Sequence, residues 1–149
     1  MPGETVAQSE PRLTIESRLE DLRLAWPWAE LIAEEHHAPA ATRFAVHLCL
    51  EEALSNIIRH GYGGEPGRPV TIRSESEPNE LVFIVEDQAP PFDPLDESRQ
   101  EPLVSPSAGD LIPLGGQGIR LMRKFAGSLG YQRLPGGNRL TMRFPIPGA

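Results

Sequence analysis

Long apolar runs are absent from this chain: no stretch of eighteen apolar residues occurs among its 149, and a membrane-spanning helix is not expected. The opening Met1-Pro2-Gly3-Glu4-Thr5 lacks the charged-then-apolar layout of a secretory leader, so the expectation is a cytoplasmic protein. Cysteine is nearly missing. Cys49 stands alone in the apolar run 46–50, which excludes an intrachain disulfide and reads as a small buried hydrophobe in a reducing compartment. Metal-ligand spacing is missing too: His36 and His37 have no third or fourth ligand at a suitable interval and read as solvated residues at a helix end. There is no Gly-Lys-Ser/Thr, hence no P-loop, and Leu121 stands where a dinucleotide fingerprint would need its third glycine. Acid is missing from the C-terminal quarter. All 21 Asp and Glu lie in residues 1–114, whereas residues 115–149 hold Arg120, Arg123, Lys124, Arg133, Arg139 and Arg143. These bases are spaced singly, with no Lys/Arg cluster or aromatic ladder, so direct nucleic-acid binding is not expected. An anionic small ligand or a solvated face accounts for them.

What is present suits one domain over 12–149 with a single core, preceded by a polar, disordered tail over 1–11. Residues 12–16 alternate and read as a strand. Ser17 is the expected N-cap of a helix ending near Glu35, with Pro27 kinking or breaking it. Pro39 opens a second helix running to about His60, ended by Gly61-Tyr62-Gly63-Gly64. Residues 69–73 and 80–85 form a hairpin across Glu77-Pro78-Asn79. Residues 89–114 carry six prolines and little periodicity, a lid candidate. Gly116-Gln117-Gly118 opens a third helix with the apolar stripe Ile119, Met122, Phe125, Ala126 and Leu129. A closing hairpin spans 131–134 and 138–144. The expected fold is an α+β two-layer sandwich, its sheet mixed but mostly antiparallel, with helices on one face.

Three groups stand out chemically. Glu52 and Asn56 are four apart and share a helical face, where a carboxylate and a carboxamide suit a hydrated Mg²⁺ and a nucleophile; two ordinary surface residues are the plainer account. Asp87 ends an apolar strand, either capping its own turn or accepting from an exocyclic amine such as adenine N6. Gly115-Gly116-Gln117-Gly118 precedes a helix whose free N–H groups and positive end suit a phosphate, though a plain helix entry uses the same residues. Phe92 reads as a loop anchor held by burial, and Asp93-Pro94 as turn chemistry.

In this order the motifs resemble the ATP-binding domain shared by gyrase-type ATPases, histidine kinases and anti-sigma serine kinases. Glu52-Ala53-Leu54-Ser55-Asn56 is similar to that family's Glu-x-x-x-Asn helix, Asp87-Gln88-Ala89 to its Asp-x-Gly adenine contact, and Gly116-Gln117-Gly118 to its second glycine box. Asn56-Ile57-Ile58-Arg59-His60-Gly61-Tyr62, Pro90-Pro91-Phe92-Asp93-Pro94 and the continuation into Ile119 look most like the small anti-sigma serine kinases, over about residues 12–145. The resemblance implies a histidine-kinase-like ATPase fold and an ATP-dependent serine kinase that phosphorylates an anti-anti-sigma (STAS-type) protein and captures a sigma factor or other regulator, with homodimer formation. It implies ATP and Mg²⁺ as cofactors, Glu52 as catalytic base, and Asn56 on the metal. It implies Asp87, Ala89, Phe92, Gly115, Gly116, Gly118 and Ile119 around the nucleotide. Ala89 departs from the pattern, placing a Cβ where the base comes close; a positive φ there would strain it. The competing readings are a non-catalytic ATP-binding switch, the catalytic half of a histidine kinase (for which residues 1–38 are too short and Pro-interrupted), and a purely structural interaction domain.

Overall fold

The computed structural model describes residues 11–96 and 114–146; the expected tail and most of the expected lid lie outside the described residues. The elements are β1 (Arg12–Glu16), α1 (Leu22–Glu35), α2 (Ala40–Asn56), β2 (Pro69–Glu77), β3 (Glu80–Asp87), α3 (Leu114–Phe125), β4 (Ser128–Leu134) and β5 (Gly137–Pro145). The strands form one sheet in the order β1-β2-β3-β5-β4. The two-layer α+β class is as expected, but the sheet is antiparallel at every pairing rather than mixed. Connectivity explains this. Two helices between β1 and β2 return the chain to its starting end, so the next strand runs back. The single-helix crossover from β3 to β4 does leave those two strands parallel in direction, but β5 lies between them and pairs with both.

Leu81, Phe83 and Val85 of β3 alternate toward the helices and join Val70, Ile72, Leu140, Met142 and Phe144 in the core. From the helical layer come Ala45, Val46, Cys49, Leu50, Ala53 and Leu54 of α2, flanked by α1 and α3. Burying each large aliphatic chain contributes about 1.5–3 kcal/mol. Cys49 is buried as expected, its Sγ 3.9 Å from the Met122 carbonyl, and burial pushes its thiol up to about 12. Val82 and Ile84 face the open side yet are also buried. They pair in register with Arg143 and Arg73, whose long stems cover them. The central strand is therefore apolar on both faces.

Three local expectations are corrected. Ser17 does not cap a helix: its hydroxyl donates to the Glu65 carbonyl at 2.6 Å and accepts from the Arg68 N–H at 2.9 Å, tying β1 to the loop before β2. Helix α1 starts at Leu22 after a short 3₁₀ turn and runs through Pro27 unbroken. Pro27 lies only six residues in, where the missing N–H removes a single bond and buried Ala25, Ala29, Ile32 and Ala33 hold the helix to the core. Finally, α2 ends at Asn56, and residues Ile57–Gly61 wind as a π-turn rather than as α-helix to His60. The stripe expected on the third helix holds for Ile119 and Met122, which are buried, while Leu129 belongs to β4.

Candidate functional site

Glu52 and Asn56 project from the last turn of α2, both half-buried, while Glu51 is exposed. Among the described residues neither the Glu52 carboxylate nor the Asn56 carboxamide has a hydrogen bond or salt bridge. Burial raises the Glu52 carboxyl above its ordinary pKa, with the Glu51 charge adding to it and Arg59 opposing. A desolvated acid with no partner is costly in a merely structural position.

The π-turn places the end of α2 against the chain leaving β3. Its backbone closes with the Tyr62 N–H on the Ile57 carbonyl at 2.8 Å. His60 stacks on Phe92 with ring centroids 6.2 Å apart. Tyr62 Oη donates to the Pro69 carbonyl at 2.6 Å and accepts from the Gln88 N–H at 2.7 Å. Gly61 lies against Ala89: a Cβ there would sit 3.4 Å from that of Ala89, in ordinary van der Waals contact. Single-turn π segments occur often at functional sites, where the extra residue re-aims side chains.

Asp87 is 7% exposed at the end of β3. Its Oδ1 accepts from the Ala89 N–H at 2.9 Å and from Asn138 Nδ2 at 2.8 Å. The turn-capping account of Asp87 is thus realised, but it uses one oxygen; among the described residues Oδ2 accepts nothing. Burial raises the Asp87 carboxyl, and the Asn138 and Ala89 donors and the Arg133 charge oppose it. Ala89 is buried, and its φ is not positive, so the Cβ it carries in place of a glycine brings no backbone strain. Phe92 is buried, as an anchor should be. Asp93 Oδ1 accepts from the Leu95 N–H at 2.8 Å, an ordinary turn, and Arg123 of α3 donates to the Leu95 carbonyl at 3.0 Å.

The glycines expected ahead of the third helix lie inside it: α3 begins at Leu114, so Gly115, Gly116 and Gly118 belong to its first turns. The first four N–H groups of a helix have no intrahelical acceptor, and those of Gly115 and Gly116 are among them, whereas the Gly118 N–H, fifth in the helix, is paired with the Leu114 carbonyl by the helix repeat and is not one of the free donors expected of it. Ile119 is buried in the core. His36 Nδ1 lies 2.9 Å from the Ile32 carbonyl, and among the described residues no group of His, Cys, Asp or Glu could by itself hold a metal ion. No helix there is long and apolar enough to cross a membrane.

Residue order holds no pointer to Asn138, which is 3% exposed and faces Asp87 across the β3–β5 ladder. Pro135-Gly136-Gly137 read as a hairpin turn with Asn138 opening the next strand, and Gly136 does have φ of 80°. Gly137 is required for a different reason: a Cβ there would lie 2.0 Å from the Asp87 carbonyl oxygen.

A half-buried Glu one turn from an Asn, a buried Asp at a strand end and a glycine-led helix, on an antiparallel sheet with one helical layer, define a nucleotide-binding domain of the histidine-kinase type. The chain belongs to the histidine kinase-like ATPase domain family, which it matches over residues 15–144. It is 37% identical over 117 residues to the serine/threonine-protein kinase BtrW of Bordetella bronchiseptica, covering 77% of this chain and 79% of that one. It is 34% identical over 80 residues to an anti-sigma F factor of Shouchella clausii, about half of each chain (54% and 53%). A solved Mycobacterium tuberculosis chain with RsbU and RsbW domains superposes with a TM-score of 0.65 at 11% identity, over 93% of this chain and 32% of that one. A blue-light activated histidine kinase of Erythrobacter litoralis gives 0.52 at 22%, over 73% and 32%. These two share the fold, and this chain spans about a third of each. ATP is the ligand class of the family, and the lineage of this chain within it is that of serine/threonine protein kinases.

Proposed function

We propose that this protein is an ATP-dependent serine kinase acting on an anti-anti-sigma protein of STAS type, and that it captures a sigma factor or similar regulator. The observation that carries this reading is the π-turn that ties the end of the Glu52–Asn56 helix to the chain leaving Asp87, through the Tyr62–Gln88 bond and the His60–Phe92 stack. The donor set fits Mg²⁺-ATP: an open Asp87 Oδ2 for an exocyclic amine, an uncommitted amide at Asn56 for the metal, and the free helix N–H groups at Gly115 and Gly116 for phosphate oxygens. Bound Mg²⁺-ATP supplies the transferable phosphoryl group and positive charge beside it. Ala89 and Phe92 wall the base side.

Glu52 takes the proton of the incoming serine hydroxyl on a carboxylate oxygen as the serine O–P bond forms and the bond to ADP breaks. Its desolvated position makes it a better proton acceptor than a solvated glutamate. Beyond that, the chain positions groups and stabilises charge, as phosphoryl transfer requires.

The test is to mix the chain with γ-labelled ATP, Mg²⁺ and a candidate STAS protein. Label on a partner serine, lost in Glu52→Ala and Asn56→Ala, supports the kinase. Nucleotide binding without transfer points instead to an ATP-operated switch, and no binding removes both readings.

A further inference from the structure

Among the described residues, Asn138 makes more polar contacts than any other side chain at this end of the sheet. Its Nδ2 faces three acceptors: Asp87 Oδ1 at 2.8 Å, the Pro90 carbonyl at 3.0 Å and the Ala89 carbonyl at 3.3 Å. Its Oδ1 faces three donors: the Phe92 N–H at 3.2 Å, an Arg133 N–H at 3.4 Å and the Tyr131 hydroxyl. The partners dictate the orientation of the amide, because a flip would set acceptor against acceptor on one side and donor against donor on the other.

That orientation decides how Asp87 can be used. A free carboxylate has two oxygens and accepts two N–H groups side by side. The edge of guanine offers such a pair, its ring N–H and its exocyclic amine, and would suit an unrestrained aspartate well. Adenine offers one amine, beside a ring nitrogen that is itself an acceptor. In this structure Oδ1 is filled by Asn138 and Ala89, leaving Oδ2.

We infer that Asn138 is a specificity-determining positioning residue: by occupying Oδ1 it turns Asp87 into a one-oxygen acceptor that selects adenine over guanine. Asn138 acts through Asp87 and through the Ala89 and Pro90 carbonyls, and need not touch the base. The inference rests on the reading of Asp87 as the base contact.

The experiment measures ATP and GTP binding by calorimetry with Mg²⁺, on the full chain, at pH 6 and pH 8. Asp87→Asn checks the underlying reading, and its ATP-to-GTP affinity ratio should collapse. In Asn138→Asp the donor is replaced by a second carboxylate against Oδ1. The ratio should fall about tenfold at pH 8, as the loss of a hydrogen bond to a charged group predicts. It should recover toward that of the native chain at pH 6, where a proton shared by the two carboxylates restores a donor. A merely structural role would lower both affinities together and leave the ratio flat with pH. Should Asn138→Asp fail to fold, Tyr131→Phe removes one donor that orients the amide, and the ratio should fall about threefold. If Asp87→Asn collapses the ratio while the Asn138 or Tyr131 variant keeps it, the inference is overturned and the reading of Asp87 stands. If Asp87→Asn leaves the ratio unchanged, that reading fails and the inference falls with it.

Discussion

Glu86 and Asp87 are neighbours on one strand, yet they point to opposite faces of the sheet and live by different physics. Glu86 lies on the open face between Arg73 at 3.0 Å and Arg139 at 2.6 Å, part of a charged lattice that also pairs Arg143 with Glu80 at 3.1 Å. Partial burial pushes its carboxyl up, but the two guanidiniums outweigh that and hold it below its ordinary value. Asp87 lies on the covered face among amides, without a salt bridge among the described residues, and its carboxyl is raised. On the wet face charge is neutralised by charge and nothing is left to bind. On the dry face a carboxylate is held by neutral donors on one oxygen only, so its charge stays available. On the proposed reading the chemistry belongs to the covered face.

That contrast can be broken from either side. The largest effect is expected from Glu52→Gln, the other raised acid of the covered side: transfer should fall by about 10²–10⁴, with ATP affinity changed by no more than about threefold. A glutamate with a raised folded-state pKa binds more protons folded than unfolded, so its stability penalty sets in as pH rises above the unfolded value of ~4.3. At pH 7 the Glu52→Gln chain should therefore melt at or above the native temperature, and calorimetric scans at pH 4 and pH 7 would show the gap widening with pH. A lower melting point at pH 7 would contradict the desolvation account of Glu52.

Next comes Gly137→Ala, which drives a Cβ into the Asp87 carbonyl oxygen and attacks the junction of the two faces. Urea unfolding should show a loss of about 3 kcal/mol or more, since backbone cannot yield as a flexible side chain does. Asp87→Asn should weaken ATP about tenfold to a hundredfold, through loss of a charge-assisted hydrogen bond, while urea midpoints stay near native because the amide oxygen can still accept from Ala89 and Asn138. The smallest effect belongs to the wet face. Glu86→Gln should cost about 1 kcal/mol or less at pH 7, less at high salt, and leave ATP binding untouched. With a lowered folded-state pKa, Glu86 contributes stability above the unfolded value of ~4.3 and loses it as pH falls through its folded value, so the difference between Glu86→Gln and native should vanish in acid. A change in nucleotide affinity in Glu86→Gln would erase the separation of the faces.

Much of this was legible in residue order. The strand at 12–16, both hairpins, the burial of Cys49 and the shared face of Glu52 and Asn56 follow from periodicity and turn residues, which are local signals. The illegible parts were set by partners distant in sequence. Ser17 looks like a helix cap until Glu65 and Arg68 claim its hydroxyl. Pro27 looks like a break until the core holds the helix on both sides of it. The π-turn arises where the chain must reach Ala89 and Phe92. Asn138 acquires its meaning only from the register that sets it opposite Asp87.

That register also has a consequence for the life of the chain as it leaves the ribosome. The strand ending in Asp87 is central in the finished sheet, yet its second neighbour, β5, is the last strand in sequence. From the completion of β3 at Asp87 until Gly137 is made, β3 is an edge, its Asp87 lacking Asn138 and its backbone open to foreign strands. The Asp87 end of the sheet is completed by the final nine-residue strand. On the proposed reading ATP binding therefore requires the whole sheet to have closed, and a chain truncated before β5 should not bind ATP.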